Sequence, residues 1–393
     1  MSGAGSHQPI GLTIGSVVFA GGGTGGHIFP ALAIAEAIGA LPEGQSIRRV
    51  MIGSDKDLDR ALLKAATERG ELENTAGIPA RPFGVRPKQA WRLISTWGTC
   101  VRETRMLLRD ERERTNTPPV LVAMGGYVRA APVKAALAEK CPVVLVNLDA
   151  VHGKANRWIA ARAGRRLAVG RAAGQFEPLA SEPINSIVRA ALHDRPTPKA
   201  ARQQFGLDPD RPTLLITGGS QGARTINAFI TKYAGEHATR LLESGWQILH
   251  QIGADDVETV GALYAHVGVR AECRPFLDDI AAARSAADAR VCRAGAGTVA
   301  EAWATATPSL FLPYPFHKDA HQRVNAAMLT DRGAGMLGDD RIETEANLAL
   351  NGPLLDELLH NTGGRERIRD MLAALGPADG AETVARAVTA MLG

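Results

Sequence analysis

The sequence predicts an α/β protein made of two units, each a parallel sheet flanked by helices. Short β-branched runs alternate with Ala/Leu-rich helical stretches from one end to the other, the pattern of βαβ repeats. A strand, a glycine cluster and a helix also follow one another twice, once near residue 16 and again near residue 213. The length agrees, since 393 residues at about 150 per domain give two or three cores. A hydrophobic content of 45% and a net charge of only +4 exclude a disordered chain.

The candidate strands of the first half are Ser16–Ala20, Arg49–Ile52, Val120–Ala123 and Val143–Asn147. Those of the second half are Thr213–Thr217, Gln247–Gln251, Ala289–Cys292 and Ser309–Leu312. Strand Ser16–Ala20 runs into Gly21-Gly22-Gly23-Thr24-Gly25-Gly26-His27 and a helix from about Phe29, and strand Thr213–Thr217 into Gly218-Gly219-Ser220-Gln221-Gly222-Ala223 and a helix from about Arg224. Pro183, Pro196 and Pro198 punctuate a polar segment between the halves. The expected organisation is a tail over 1–13, a first Rossmann-like domain over 14–187 completed by a C-terminal helix over 377–393, and a second over 188–376. Ligands of such domains bind at the carboxyl ends of the strands, here in a crevice between two sheets.

Cys100, Cys141, Cys273 and Cys292 form no CxxC pair and have no His at ligand spacing, so no zinc or redox motif is signalled and a reducing, cytoplasmic setting is expected. Residues 1–35 lack Asp, Glu, Lys and Arg, but they have no basic start and are interrupted by glycines, unlike a signal peptide. Ala302–Phe316 is too short to span a bilayer and holds three prolines. Charge is uneven: residues 1–186 carry 24 Lys+Arg against 16 Asp+Glu, while the remainder is net acidic.

A glycine loop between strand and helix lets backbone N–H groups approach an anion, and the helix N-terminus adds its positive end. Both loops are therefore candidate diphosphate cradles. Gly21, Gly23 and Gly26 also satisfy G-x-G-x-x-G, the mark of a dinucleotide enzyme, but that reading needs an acid ending the second strand, and Asp55 falls past it. A third cluster, Arg293-Ala294-Gly295-Ala296-Gly297-Thr298-Val299-Ala300-Glu301, follows strand Ala289–Cys292. Thr298 can meet phosphate oxygens, and Glu301 either accepts from the two hydroxyls of a ribose or caps its helix. Gln322 and Asn325 stand three apart, so a helix puts them on one face, either to read sugar hydroxyls or as solvated surface.

Together GGGTGGHIFPALAIAE (21–36), MGGYV (124–128), GGSQGAR (218–224), FLDDIAAA (276–283), RAGAGTVAE (293–301) and PYPFHKDAHQRVNA (313–326) resemble the MurG family of cell-wall glycosyltransferases, in family order across residues 15–330. The resemblance implies a GT-B fold and inverting transfer of N-acetylglucosamine from UDP-GlcNAc to undecaprenyl-diphospho-muramoyl-pentapeptide, with no metal and no cofactor. It implies donor contacts from Arg189, Ser220, Gln221, Gly222, Ile280, Thr298, Glu301, Gln322 and Asn325. The acceptor falls to Thr24, Gly25, Gly26, Gly125, Gly126, Tyr127 and Asp149. His27 closes the first glycine loop and titrates near neutrality, which suits the base that deprotonates the acceptor hydroxyl. The chain departs from the family at Val146-Asn147-Leu148-Asp149, where a His-Glu-Gln-Asn segment is usual, at Asn185-Ser186-Ile187, and at His321.

Residues 81–109 hold seven cations against one acid and interleave Trp91, Ile94 and Trp97. Such a window is either an amphipathic helix with its aromatics in the core or a patch resting on anionic lipid. The resemblance favours the second, with Arg86, Lys88, Trp91, Arg92, Ile94 and Trp97 at the cytoplasmic face of the inner membrane as a peripheral contact. No nucleic-acid motif accompanies the basic stretch, and the oligomeric state is not readable. Two rival readings remain: a related transferase with another lipid or glycan acceptor, and a UDP-sugar-binding protein without turnover.

Overall fold

The computed structural model describes residues 13–81, 87–150, 154–169, 181–219, 223–253, 257–316 and 320–392, without the side chains of 87–94, Lys154 and Val169. The chain divides into two units. The first comprises Met1–Asn147, Gly153–Leu167 and Ala381–Gly393, and the second Leu148–His152 and Ala168–Gly380. The main crossing thus falls after Leu167 rather than after Ile187, because the prolines that suggested the boundary punctuate the lead-in of the second unit.

In the first unit, strands β1 (Gly15–Gly21), β2 (Ile47–Ser54), β3 (Asn74–Ile78), β4 (Val120–Gly125), β5 (Val143–Asn147) and β6 (Arg165–Val169) run in the order β3-β2-β1-β4-β5-β6. The pairs β1–β2, β1–β4, β2–β3 and β4–β5 are parallel. Every residue of β1, β4 and β5 is buried, as expected of parallel strands covered by helices on both faces. The C-terminal helix Gly380–Thr389 lies in the same unit from Ala381 onward, with Leu392 against Gly15 and the Ala387 carbonyl accepting from Arg165 at 3.4 Å.

The second unit opens with the short strand β7 (Glu182–Ile184) and continues through β8 (Thr213–Thr217), β9 (Gln247–Gln251), β10 (Ala271–Arg274), β11 (Ala289–Cys292), β12 (Ser309–Phe311) and β13 (Met336–Leu337). Its parallel sheet has the order β10-β9-β8-β11-β12-β13. Leu214, Ile216, Ile248, Val291 and Leu310 form its centre, packed by Phe229, Tyr233 and Trp246.

The two sheets therefore share one topology, third-second-first-fourth-fifth. Strand order reverses between β1 and β4 and between β8 and β11, and connections leaving such a switch point diverge to leave room for a ligand. The loops so placed are those after Gly21, Gly125, Thr217 and Cys292. Among the described residues, no helix is long and apolar enough to cross a membrane.

Candidate functional site

In the first unit the switch point brings the two predicted acceptor loops into contact. Helix Gly25–Ala40 begins after Thr24 with no side-chain cap and no acid in its first turn, so no side chain at its start satisfies its first N–H groups. His27 lies in that turn, with its N–H donating to the Thr24 carbonyl at 3.2 Å. Its imidazole rests on the next loop: a Cβ on Gly125 would overlap Nδ1, Cε1 and Cγ of the ring. Tyr127 closes the arrangement, its ring lying where a side chain on Gly23 would go. Gly125 and Gly126, expected at the acceptor diphosphate, thus form the bed of the imidazole.

The cradle reading of the first loop needs one correction. The Gly23 N–H is not offered to a ligand but donates to Asp59 Oδ2 at 2.7 Å. The same oxygen accepts from the Ser54 N–H at 2.9 Å and the Ser54 hydroxyl at 2.6 Å. Only the amides from Thr24 onward remain for an anion. Asp59 is fully buried, and nothing in the sequence distinguished it from Asp57 as one more acid in a first helical turn. Asp55, the residue a dinucleotide enzyme would need for ribose, is held by Arg81 at 2.6 and 2.8 Å, and this pairing keeps its carboxyl below the usual range.

In the second unit, Ser220, Gln221 and Gly222 lie outside the described residues. The flanks of their loop are defined: the Gly219 carbonyl accepts from Gln251 at 3.1 Å, and helix Arg224–Glu236 starts without a side-chain cap or an early acid. Helix Ala296–Thr305 starts the same way after Gly295, carrying Thr298 in its first turn. Arg189 precedes the short turn Ala190–Leu192, and Ile280 opens helix Ile280–Ala286, whose cap is Asp279 accepting from Ala282 at 2.9 Å.

Glu301 sits in the second turn of its helix and does not cap it. Its Oε2 accepts from Arg284 Nε at 2.9 Å and from Arg284 Nη2, with Arg290 Nη1 at 3.8 Å. Arg290 is wholly buried, which pulls its pKa down to about 10. Both arginines approach the same oxygen, Oε2. Neither arginine was singled out in the sequence, because each meets Glu301 only through the packing of separate elements.

Gln322 and Asn325 do not act as a pair. The Gln322 Oε1 accepts from the Tyr314 N–H at 2.8 Å. Asn325 is buried and bound inside the unit: its Oδ1 accepts from Ala150 N–H at 2.9 Å, and its Nδ2 donates to Asp149 at 3.3 Å and to the Ala294 carbonyl at 3.4 Å. The spacing of three does put both on one face of helix His321–Thr330, but Gln322 is half-buried, Asn325 is buried, and each already has a partner of its own. Asp149, expected at the acceptor, belongs to the second unit with the rest of Leu148–His152.

The basic window is partly spent internally. Helix Pro87–Thr115 presents Arg105 and Arg109 to Glu139 at 2.5 and 3.0 Å, and Arg109, then Arg105, hold that carboxyl down to about 2. Among the described cations of the window, Arg81, Arg105 and Arg109 have carboxylate partners. Trp97 is 37% exposed, so it does not face the core, and Met106 is 64% exposed. Arg86 and the side chains of Lys88, Trp91, Arg92 and Ile94 lie outside the described residues.

Comparison with known proteins extends this picture. The glycosyltransferase family 28 N-terminal domain matches residues 17–167, and the glycosyltransferase family 28 C-terminal domain matches residues 213–362. The chain is 37% identical over 321 residues to the UDP-N-acetylglucosamine--N-acetylmuramyl-(pentapeptide) pyrophosphoryl-undecaprenol N-acetylglucosamine transferase of Verminephrobacter eiseniae, spanning 80% of this chain and 83% of that protein. It is 35% identical over 384 residues to the protein of the same name from Frankia casuarinae, spanning 96% and 95%. Among solved structures, MurG of Acinetobacter baumannii matches with a TM-score of 0.69 and 23% identity over 96% of this chain and 99% of that one, a likeness of fold.

Proposed function

The chain belongs to the MurG family of glycosyltransferases, and from that premise we propose how its residues divide the reaction. The protein is a UDP-GlcNAc-dependent glycosyltransferase of peptidoglycan synthesis. It transfers N-acetylglucosamine to undecaprenyl-diphospho-muramoyl-pentapeptide, the step from lipid I to lipid II.

The first unit takes the acceptor and the second the donor. A sugar hydroxyl of the acceptor attacks the anomeric carbon of GlcNAc, its proton passes to His27, and UDP leaves with the electrons of the broken glycosidic bond, inverting the anomeric centre. The carrying observation is the placement of His27 in an uncapped first helical turn, seated on Gly125 and flanked by free amides that suit the acceptor diphosphate. The departing diphosphate is met by the N-termini of helices Arg224–Glu236 and Ala296–Thr305 with Thr298 and Arg189, so the residues themselves neutralise its charge. Glu301 takes the ribose diol. His27→Ala tests the assignment: UDP-GlcNAc binding is retained while turnover is lost, and a variant as active as wild type removes His27 from the mechanism.

The exposed face of helix Pro87–Thr115 around Trp97 and Arg102 rests on anionic lipid at the cytoplasmic face of the membrane, where the lipid-linked acceptor resides. A second reading, the same donor with a different acceptor, is favoured by one observation. Where the family has a polar segment, Val146 and Leu148 are buried and Asn147 is occupied by Asn156 at 2.6 Å. Turnover across a panel of lipid-linked acceptors separates the two.

A further inference from the structure

We infer that Asp59 is a positioning residue for the transfer, holding the first glycine loop in the shape that presents His27 and the amides of Thr24–Gly26. It rests on the role given to His27 above. Asp59 stands in the first turn of helix Asp57–Glu68, just after β2, and has no exposure to solvent. Three donors converge on one of its oxygens: the Gly23 N–H, the Ser54 N–H and the Ser54 hydroxyl. A single carboxylate oxygen therefore ties the end of β2 to the glycine loop that ends β1.

The fit is specific on both sides. Gly23 has φ +88°, a conformation L side chains rarely adopt, and a Cβ on Gly22 would strike Asp59 Oδ2 itself. Four residues past Gly23, His27 is seated on Gly125, so a shift of the loop at Gly23 is passed to the imidazole through one helical turn. A carboxylate also does here what an anionic ligand does at other glycine loops: it occupies the first amide and leaves the later ones open. The ligand diphosphate is thereby confined to the helix end beside His27, which sets its register against the base.

Replacing the carboxylate leaves a different deficit in each variant. Asp59→Ala leaves the Gly23 and Ser54 N–H groups without an acceptor, whereas Asp59→Asn keeps an acceptor oxygen and loses the charge. The experiment measures kcat, the KM for UDP-GlcNAc and UDP affinity for both variants, with His27→Ala in parallel. The expected order of kcat is wild type, then Asp59→Asn, then Asp59→Ala, with Asp59→Ala down at least tenfold. KM for UDP-GlcNAc and UDP affinity stay within twofold, because the donor residues are all in the second unit. If Asp59→Ala does not fold, Asp59→Asn carries the test, with a kcat loss of threefold or more and an unchanged donor KM. A wild-type kcat in either folded variant, or losses in kcat and donor affinity that run in parallel, overturns the inference. An inactive Asp59 variant beside an active His27→Ala enzyme overturns instead the base assignment, leaving Asp59 to act through the amides alone.

Discussion

On the proposed assignment, the chemistry of the first unit is concentrated in one imidazole and the glycine beneath it. Gly125→Ala places a methyl where the ring of His27 lies, and the ring must move for the variant to fold. The expected result is a loss of kcat of at least tenfold, about 1.4 kcal/mol or more in the barrier, with UDP affinity unchanged in a titration. In the second unit, Glu301→Ala weakens UDP-GlcNAc binding. Arg284→Met weakens it less, since Arg290 still stands 3.8 Å from Oε2. Fluorescence titration with UDP-GlcNAc orders the two, and equal affinity of Glu301→Ala and wild type contradicts the ribose contact. The glycine loops and helix starts that carry His27, Thr298 and Glu301 were legible in the sequence because each follows an apolar strand. Asp59, Arg284 and the seat at Gly125 were not, because each acts through a contact between segments far apart in the chain.

At the scale of the element, strand β9 carries a buried histidine whose titration is a property of the fold. Both ring nitrogens of His250 have protein partners: the Tyr264 hydroxyl lies 2.9 Å from Nδ1 and the Asn227 oxygen 3.1 Å from Nε2, and burial lowers its pKa from 6.5 to about 3. The unfolded imidazole takes up a proton as pH drops below 6.5 while the folded one stays neutral. Its contribution to stability is therefore complete above pH 6.5 and is lost as pH falls toward 3, by about 1.4 kcal/mol per pH unit at most. Urea unfolding at pH 7, 6, 5 and 4 should show a shallower slope for His250→Gln than for wild type; equal slopes contradict the buried neutral state. Helix Pro87–Thr115 gives a second prediction. Trp97→Ala with Arg102→Glu lowers binding to vesicles containing anionic lipid, whereas Arg105→Gln with Arg109→Gln lowers it much less, because those cations already face Glu139. A larger effect of the second pair would put the lipid contact on the wrong face. The same helix shows how far the sequence could be read: its basic and apolar content was visible, but which cations were already paired depended on Glu139, thirty residues downstream.

For the whole molecule, the repeated strand–glycine–helix pattern was enough to give two parallel α/β units, because central strands buried on both faces are continuous apolar runs. β5, β8, β9 and β11 match their expected bounds residue for residue. The edge strands β3, Asn74-Thr75-Ala76-Gly77-Ile78, and β10, Ala271-Glu272-Cys273-Arg274, lack that run and were not singled out; they are fixed by pairing with β2 and β9. The crossing between units was misplaced for a related reason: prolines mark irregular chain, not the point where contacts change sides. The return of the last residues to the first unit, expected from 377, falls at Ala381, just past the point where Asp379 pairs with Ile187 and accepts from Asn185 at 2.8 Å.

UDP release by the purified protein from UDP-GlcNAc, measured with and without a short-chain analogue of the muramoyl-pentapeptide diphospholipid, tests the proposed transfer most directly. Release that requires the acceptor, with the disaccharide lipid formed in equal amount, is the predicted result. Donor binding with no acceptor-dependent release would contradict it and assign the donor site to another acceptor or to binding without turnover.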